Sequence, residues 1–300
     1  MLTYLVVERS WLKKMKVSEF EYHAPTQLAD AVALLASLSH EDAQILAGGQ
    51  SLVPTMAFRL ASPKHLIDIN RISELQHFDV DGERLRIGAG VRHAAFIKRP
   101  EKGPLFAILS QIAAHIAHYP VRSRGTFCGS LAHADPASEW CLTAATFDAT
   151  IIATSVRGTR LIPAEDFFEG LLSTALTQDE ILTEVQIPLP SSQSKFGFYE
   201  FNRRAGDYAI GMALARWELQ DDRMIDVHFG LGGIESKPRR IRDAEVMLEG
   251  KLPSDPLFSS VADVIALGVE PLEDLQADAA YRRDIARVVA RRALDACSIS

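Results

Sequence analysis

Apolar positions change period along this chain, and the changes mark out three units. Leu28, Val32, Leu35 and Leu38 recur at three- and four-residue spacing, which predicts an amphipathic helix. The stretch 20–23 before it reads as extended and closes at Pro25, and Thr26 offers a hydroxyl to cap the helix. Residues 44–46 and 65–69 are short apolar runs, read as buried strands, and 53–60 reads as a helix between them. The first unit is therefore β-α-β-α-β over about residues 15–72. Before it, residues 1–14 lack regular patterning and read as an N-terminal extension, with Met15 a second potential start.

The second unit, 73–190, opens with a hairpin. Asp81-Gly82 is a strong turn signal, and Leu85 and Ile87 then alternate with Arg84 and Arg86. A helix follows with Leu105, Ile108, Leu109, Ile112 and Ile116 on one face, ended by Pro120. Another helix is predicted over 136–147. Strands at 150–154 and 160–162 flank a turn at Arg157-Gly158, and a strand over 180–187 is stopped by Pro188 and Pro190. Residues 188–194 are polar and proline-bearing, so they read as a linker. The third unit, 195–300, has strand-like runs at 196–201, 209–219 and 224–231, the last two joined by a turn at Gln220-Asp221-Asp222-Arg223. Helices finish the chain, the last over about 279–296. The expected class is α+β: two α/β subdomains, then a domain with a three-stranded antiparallel sheet and helices.

Composition narrows the chemistry. With 300 residues, 47% of them hydrophobic, the chain can build two or three cores. A net charge of −7 without a long basic run argues against nucleic acid. No run of about 20 apolar residues predicts a membrane span, and the first residues lack a signal-peptide pattern. Three cysteines, Cys128, Cys141 and Cys297, are too few for an iron–sulfur cluster held by four thiolates. Their odd number and the absence of CxxC fit a reducing, cytoplasmic setting.

Two glycine-bearing loops carry the candidate chemistry. Ala47-Gly48-Gly49-Gln50-Ser51-Leu52 lies between a strand and a helix, where backbone N–H groups can converge on a phosphate or pyrophosphate. A glycine pair there also serves as a plain tight connection. It is neither a Walker loop nor a GxGxxG fingerprint. Gly125-Thr126-Phe127-Cys128-Gly129-Ser130 is the second loop, followed by Ala132-His133-Ala134-Asp135-Pro136. Asp135 can cap a helix begun by Pro136, or accept from a ligand hydroxyl. Two such loops suggest one large phosphate-bearing cofactor held from two sides.

These residues carry a resemblance. Residues 47–54, Phe58-Arg59-Leu60 and Leu66-Ile67-Asp68-Ile69 resemble the first FAD motif of the medium, flavin-binding subunits of molybdenum hydroxylases, the carbon monoxide dehydrogenase/xanthine dehydrogenase type. Residues 125–136 resemble the second FAD motif. The segments 163–168, 179–182 and Arg203-Arg204-Ala205-Gly206-Asp207-Tyr208-Ala209 fall in family order. The resemblance covers nearly the whole chain from Met15. It implies a vanillyl-alcohol-oxidase-like FAD fold followed by a C-terminal flavoprotein domain. By position, Ala47, Gly48, Gly49, Gln50, Ser51 and Leu52 would form one side of the FAD grip. Thr126, Gly129 and Ser130 would form the other, Asp135 would hold cofactor hydroxyls, and Asp207 and Tyr208 would lie near the isoalloxazine. Two positions depart from the family pattern: Gln50 stands where histidine is frequent, and Phe127-Cys128 replaces Ile-Gly.

The resemblance implies an oxidoreductase subunit that transfers electrons and carries no catalytic acid–base pair of its own. A large subunit would hold the molybdenum cofactor and hydroxylate substrate, and a small subunit would hold two [2Fe-2S] clusters, assembled as a dimer of heterotrimers. A stand-alone FAD-dependent oxidase or reductase is one alternative. A docking subunit that has lost FAD is another, with Cys128 its only support. No metal ligand set is assigned: His115 and His118, one helical turn apart, have no third partner in view. Cys141 reads as a small buried hydrophobe, Arg203-Arg204 as a solvated or partner-facing pair, and the arginines from Arg282 to Arg292 as the polar side of the last helix.

Overall fold

A computed structural model describes residues 17–98 and 102–300. The N-terminal extension expected over 1–14 lies outside the described residues. Strands β1 (Glu21–His23), β2 (Ala43–Leu46) and β3 (His65–Asp68) form a parallel sheet in the order β1-β3-β2. Parallel neighbours need crossovers, supplied by α1 (Leu28–Leu38) and α2 (Leu52–Ala57). Helix α1 buries Ala31, Val32 and Leu35. Its N-cap is Gln27 rather than Thr26, and no side chain caps locally. Instead Glu74, distant in sequence, accepts from the Leu28 N–H at 2.9 Å. Helix α2 is shorter than its pattern predicts, because Arg59 turns into the left-handed region at φ 59°.

The second sheet contains β4 (Phe78–Asp81), β5 (Arg84–Gly88), β6 (Thr150–Ser155) and β7 (Gly158–Pro163). A small ribbon of β8 (Phe168–Gly170) and β9 (Ser173–Thr174) stands apart from it. Strand β10 (Ile181–Pro188) completes an antiparallel order β4-β5-β10-β6-β7. Its central place buries Ile181 through Val185 without a break, including the polar Thr183 and Glu184, the latter paired with Arg86. Between β5 and β6 the chain makes α3 (His93–Ile97), α4 (Pro104–His115), α5 (Tyr119–Arg122), α6 (Phe127–His133) and α7 (Glu139–Thr146). Helix α8 (Ala164–Phe167) follows β7.

The third sheet runs β11 (Lys195–Phe201), β12 (Gly211–Gln220), β13 (Arg223–Gly232) and β14 (Arg239–Arg240), antiparallel in that order. The fourth strand adds to the three expected; it is two arginines long and carries no apolar alternation. Asp221 and Asp222 take φ 52° and 60° in the β12–β13 hairpin, the conformation a two-residue hairpin turn requires. Helices α9 (Arg242–Leu248), α10 (Asp255–Gly268) and α11 (Ala279–Ile299) cover the sheet. One apolar core joins the first two sheets, and a second lies between β12, β13 and the last helices. Arg282 corrects the reading of the α11 arginines as a polar face. It is buried, donates to the Ile210 carbonyl at 2.9 Å and to Gly233, and pairs with Asp274 at 2.8 Å.

Candidate functional site

The β2–α2 connection forms the first half of the site. Gly49 has φ 71°, a conformation glycine adopts without strain. Its demand is conformational: a Cβ there would point at Leu46 and Val53 side chains, 3.2 Å away. Gly48 differs, because an added Cβ would stand 2.5 Å from the Arg124 carbonyl oxygen and 2.6 Å from Gly125 Cα. The two glycine segments are therefore in backbone contact. Gln50 folds back, its Nε2 donating to the Gly48 carbonyl at 3.2 Å.

The second half is a helix start. Thr126 is the N-cap of α6, and its Oγ1 accepts from the Gly129 N–H at 3.0 Å. Gly129 and Ser130 thus occupy the first turn of α6 rather than an open loop. The Cys128 side chain turns into the core: it is buried, and its Sγ donates to the Ile87 carbonyl at 3.4 Å. Burial pushes its thiol pKa far above the ordinary value. The thiol of this residue, which departs from the family motif, therefore points into the core, while the residue itself still lines the cleft.

A polar clasp ties the halves together. Asn70 donates to the Ala47 carbonyl at 2.8 Å. Arg92 donates to the Asn70 side-chain oxygen and to the Arg124 carbonyl. Burial, then the nearby Arg124, lowers the Arg92 pKa. Backbone bonds run alongside: His93 N–H to Gly125 at 3.0 Å and Phe127 N–H to Val91 at 3.1 Å. Beneath the second half, Trp140 packs at a tilt against Phe96 and Phe127, at centroid distances of 4.6 and 4.8 Å. Trp140 Nε1 donates to His93 Nδ1 at 2.9 Å. Burial, then Arg92 and Arg122, lowers the His93 pKa to about 3. The imidazole is neutral, with its proton on Nε2, because Nδ1 must accept from Trp140. Asn70, Arg92, His93 and Trp140 escaped the sequence reading. They lie in no motif, and only the fold brings them together.

Between the halves lies a cavity of about 760 Å³. Ala47, Gly48, Gly49, Gln50, Ser51 and Leu52 line it, facing Thr126, Gly129 and Ser130. Among the described residues no lysine or arginine lines it, so an anion there would meet backbone N–H groups and hydroxyls. Asp135, Asp207 and Tyr208 lie outside this lining. Asp135 does not start the helix expected at 136; its Oδ1 accepts from Ala137 N–H at 2.9 Å, and α7 begins at Glu139 with Ser138 as N-cap. Asp207 and Tyr208 sit in the exposed β11–β12 turn. The Tyr208 ring is more than half exposed, and Ser51 of the first half is among the groups that influence its hydroxyl. Desolvation of that hydroxyl, then the Asp135 charge, raises its pKa.

Behind Tyr208 is a buried pair of carboxyls, Glu139 on α7 and Glu200 on β11. Asn202 donates to one Glu200 oxygen at 2.8 Å. The other oxygen accepts no hydrogen bond, with His115 Nδ1 at 3.6 Å. Burial raises both carboxyl pKa values, and at Glu139 the Glu200 charge adds to it. His115 is thus a neighbour of Glu200 and of the Phe198 ring, at 5.2 Å.

Comparison with known proteins places this geometry. Residues 18–190 match the family described as "FAD binding domain in molybdopterin dehydrogenase", and residues 196–297 match "CO dehydrogenase flavoprotein C-terminal domain". The chain is 36% identical over 280 residues to the nicotine 6-hydroxylase medium subunit of Paenarthrobacter nicotinovorans, covering 93% of this chain and 98% of that one. Its fold superposes on a chain of carbon monoxide dehydrogenase from Hydrogenophaga pseudoflava with a TM-score of 0.91 at 34% identity, covering 95% and 99% of the two chains. A chain of quinoline 2-oxidoreductase from Pseudomonas putida 86 superposes with a TM-score of 0.88 at 36% identity, again covering 95% and 99%. The protein belongs to the FAD-binding medium subunits of the molybdenum hydroxylases. The residues present fit that cofactor. The cleft falls in the range of about 300–1,000 Å³ usual for ligand sites, and its two walls approach closely only because residue 48 lacks a Cβ.

Proposed function

We propose that this chain is the electron-transfer subunit of a three-subunit molybdenum hydroxylase, carrying FAD in the cleft between its two glycine segments. The contact between Gly48 and the Arg124-Gly125 backbone carries the proposal, because it makes one two-walled site of two separate motifs. When bound, FAD exchanges electrons singly or in pairs, which suits a junction between one-electron centres and an external acceptor. The protein supplies the grip. Gly48, Gly49, Gln50 and Ser51 would face the pyrophosphate, with Ala47 and Leu52 shaping that wall. Thr126, Gly129 and Ser130 would close from the other side. Asp135 would accept from cofactor hydroxyls. The Asp207-Tyr208 turn would cover the cofactor's far end.

The partners would be a large subunit with the molybdenum cofactor, where substrate is hydroxylated, and a small [2Fe-2S] subunit, as a cytoplasmic dimer of heterotrimers. Three cysteines, each buried and unpaired, leave this chain no thiolate set for a cluster. Residues 15–72, 73–190 and 195–300 would serve as two cofactor-binding subdomains and a C-terminal domain. Among the described residues no helix is long and apolar enough to cross a membrane. Relatives named for nicotine, carbon monoxide and quinoline share this fold, which favours substrate choice on another subunit. The test is purification of the native complex under mild conditions. One FAD per chain, with iron and molybdenum co-eluting, is the expected result. A complex with neither flavin absorbance nor those metals overturns the proposal.

A further inference from the structure

The sequence reading assigned no metal ligands, yet the first sheet assembles a set. Alternation along β1 puts Glu21 and His23 on one face and sends Tyr22 to the other, where its hydroxyl bonds Asp68. His65 of β3 is the parallel partner of Glu21. Three side chains from two strands thus converge. His23 Nε2 and His65 Nδ1 are 3.2 Å apart, His65 Nδ1 and Glu21 Oε2 3.6 Å, and His23 Nε2 and Glu21 Oε2 4.0 Å. A point equidistant from those three donor atoms lies about 2.1 Å from each, which matches the ~2.0–2.1 Å of zinc–nitrogen and ~2.0–2.2 Å of zinc–oxygen bonds.

The surroundings suit a ligand set. The remaining His65 nitrogen, Nε2, is 3.7 Å from Glu41 Oε2. That carboxylate is beyond hydrogen-bond distance here, but on metal binding a small rotation of the exposed Glu41 would let it accept from Nε2 while Nδ1 faces His23 and Glu21, the usual arrangement behind a metal-bound histidine. The His65 side chain is buried, His23 lies at the rim and Glu21 is exposed, so an ion would have an anchored ligand and an open path. Two neutral imidazoles and one carboxylate favour a borderline divalent ion over calcium or magnesium, which prefer all-oxygen shells.

We infer that Glu21, His23 and His65 form a zinc site that clips β1 to β3, with Glu41 as its positioning residue and a fourth position open to water. The clip has work to do: β1 is a three-residue edge strand held by one neighbour. This site is independent of the cleft, since none of its three ligands lines the cavity.

The experiment is calorimetric titration of the EDTA-treated full-length chain with zinc chloride, and of the same protein with cobalt(II) followed by visible absorption. One zinc per chain is expected, with cobalt d–d bands of a low-symmetry nitrogen–oxygen site. His23→Ala should weaken zinc binding by at least ~10-fold and abolish the cobalt bands. Glu41→Gln should weaken zinc binding by ~10–100-fold. His40→Ala, at an exposed histidine outside the cluster, should change nothing. Zinc should raise the Tm of the wild type but not of His23→Ala, and far-UV circular dichroism checks that the variants are folded. The inference is overturned by absence of stoichiometric zinc, or by equal affinity in wild type and His23→Ala. In either case the facing imidazoles are simply hydrogen-bonded to one another.

Discussion

Gly48→Ala tests the central contact with a single methyl group. The backbone at this position is ordinary for any L-residue, so the substitution adds volume without conformational strain. The new Cβ would lie 2.5 Å from the Arg124 carbonyl oxygen and 2.6 Å from Gly125 Cα, whereas ordinary contact begins at 3.4 Å. The walls must therefore separate by roughly 0.8 Å, and overpacking of this kind costs about 1–3 kcal/mol. Neither wall yields freely. Gly125 donates to the Val121 carbonyl at 2.8 Å and accepts from His93 N–H at 3.0 Å, and Arg124 accepts from Arg92. A pyrophosphate gripped from both sides would lose at least one charge-assisted hydrogen bond, worth about 1.5–3 kcal/mol, or roughly 10- to 150-fold in Kd. Flavin fluorescence titration of the apoprotein measures this, with Gly170→Ala, whose Cβ would meet open space, as the control. Wild-type FAD affinity together with a wild-type Tm in Gly48→Ala would refute the reasoning.

The buried carboxyl pair predicts a pH dependence. Both folded pKa values lie above the ordinary 4.5, so the native state binds more protons than the unfolded chain. Stability from this pair is fully present below that value and is lost as pH rises through the raised folded values. Each excess proton contributes a slope of about 1.4 kcal/mol per pH unit, or roughly 2 °C in Tm; Glu200→Gln should flatten it in thermal melts from pH 5 to 8. Trp140→Phe should destabilise the chain by about 1–3 kcal/mol in urea unfolding, because His93 Nδ1 is left buried without its donor. Cys128→Gly should leave FAD affinity within about twofold while lowering stability by at least ~1 kcal/mol, since the side chain packs into the core and glycine weakens a helix. Tighter FAD binding in that variant would show that the thiol side crowds the cofactor after all.

What sequence reasoning could reach followed the range of the interactions. Hairpin turns depend on adjacent residues, and Asp81-Gly82 and Asp221-Asp222 lie where they were expected. The three-strand pattern of the C-terminal domain was visible because β11, β12 and β13 are apolar-rich runs of seven to ten residues. Strand β14 has two residues and exists only through pairing with Gly230 and Leu231. Caps failed for the same reason: Glu74 satisfies the start of α1 from 46 residues away, so the local hydroxyl of Thr26 is not needed. At Asp135 the side chain closed a turn with Ala137 and delayed α7 by three residues, a choice between two local hydrogen bonds that composition does not decide.

The site shows the same limit at a higher level. Both glycine motifs were legible, because close approach restricts residue type and leaves a mark. The clasp of Asn70 and Arg92 left none: a side-chain donor and acceptor across 22 residues can be built from many residue types. Yet the clasp makes the motifs one site. Asn70 holds the carbonyl just before Gly48, and Arg92 holds the carbonyl just before Gly125. At the first wall the Gly48 N–H points the opposite way from the carbonyl that Asn70 holds, whereas the Gly125 N–H is already taken by the Val121 carbonyl. The cleft itself needs no lysine or arginine, because Arg92 places its charge behind the wall instead of in it. An anion bound there is held by oriented backbone dipoles with a partly buried cation behind them, an arrangement that favours negative charge at a fixed position over loose ion pairing with mobile side chains.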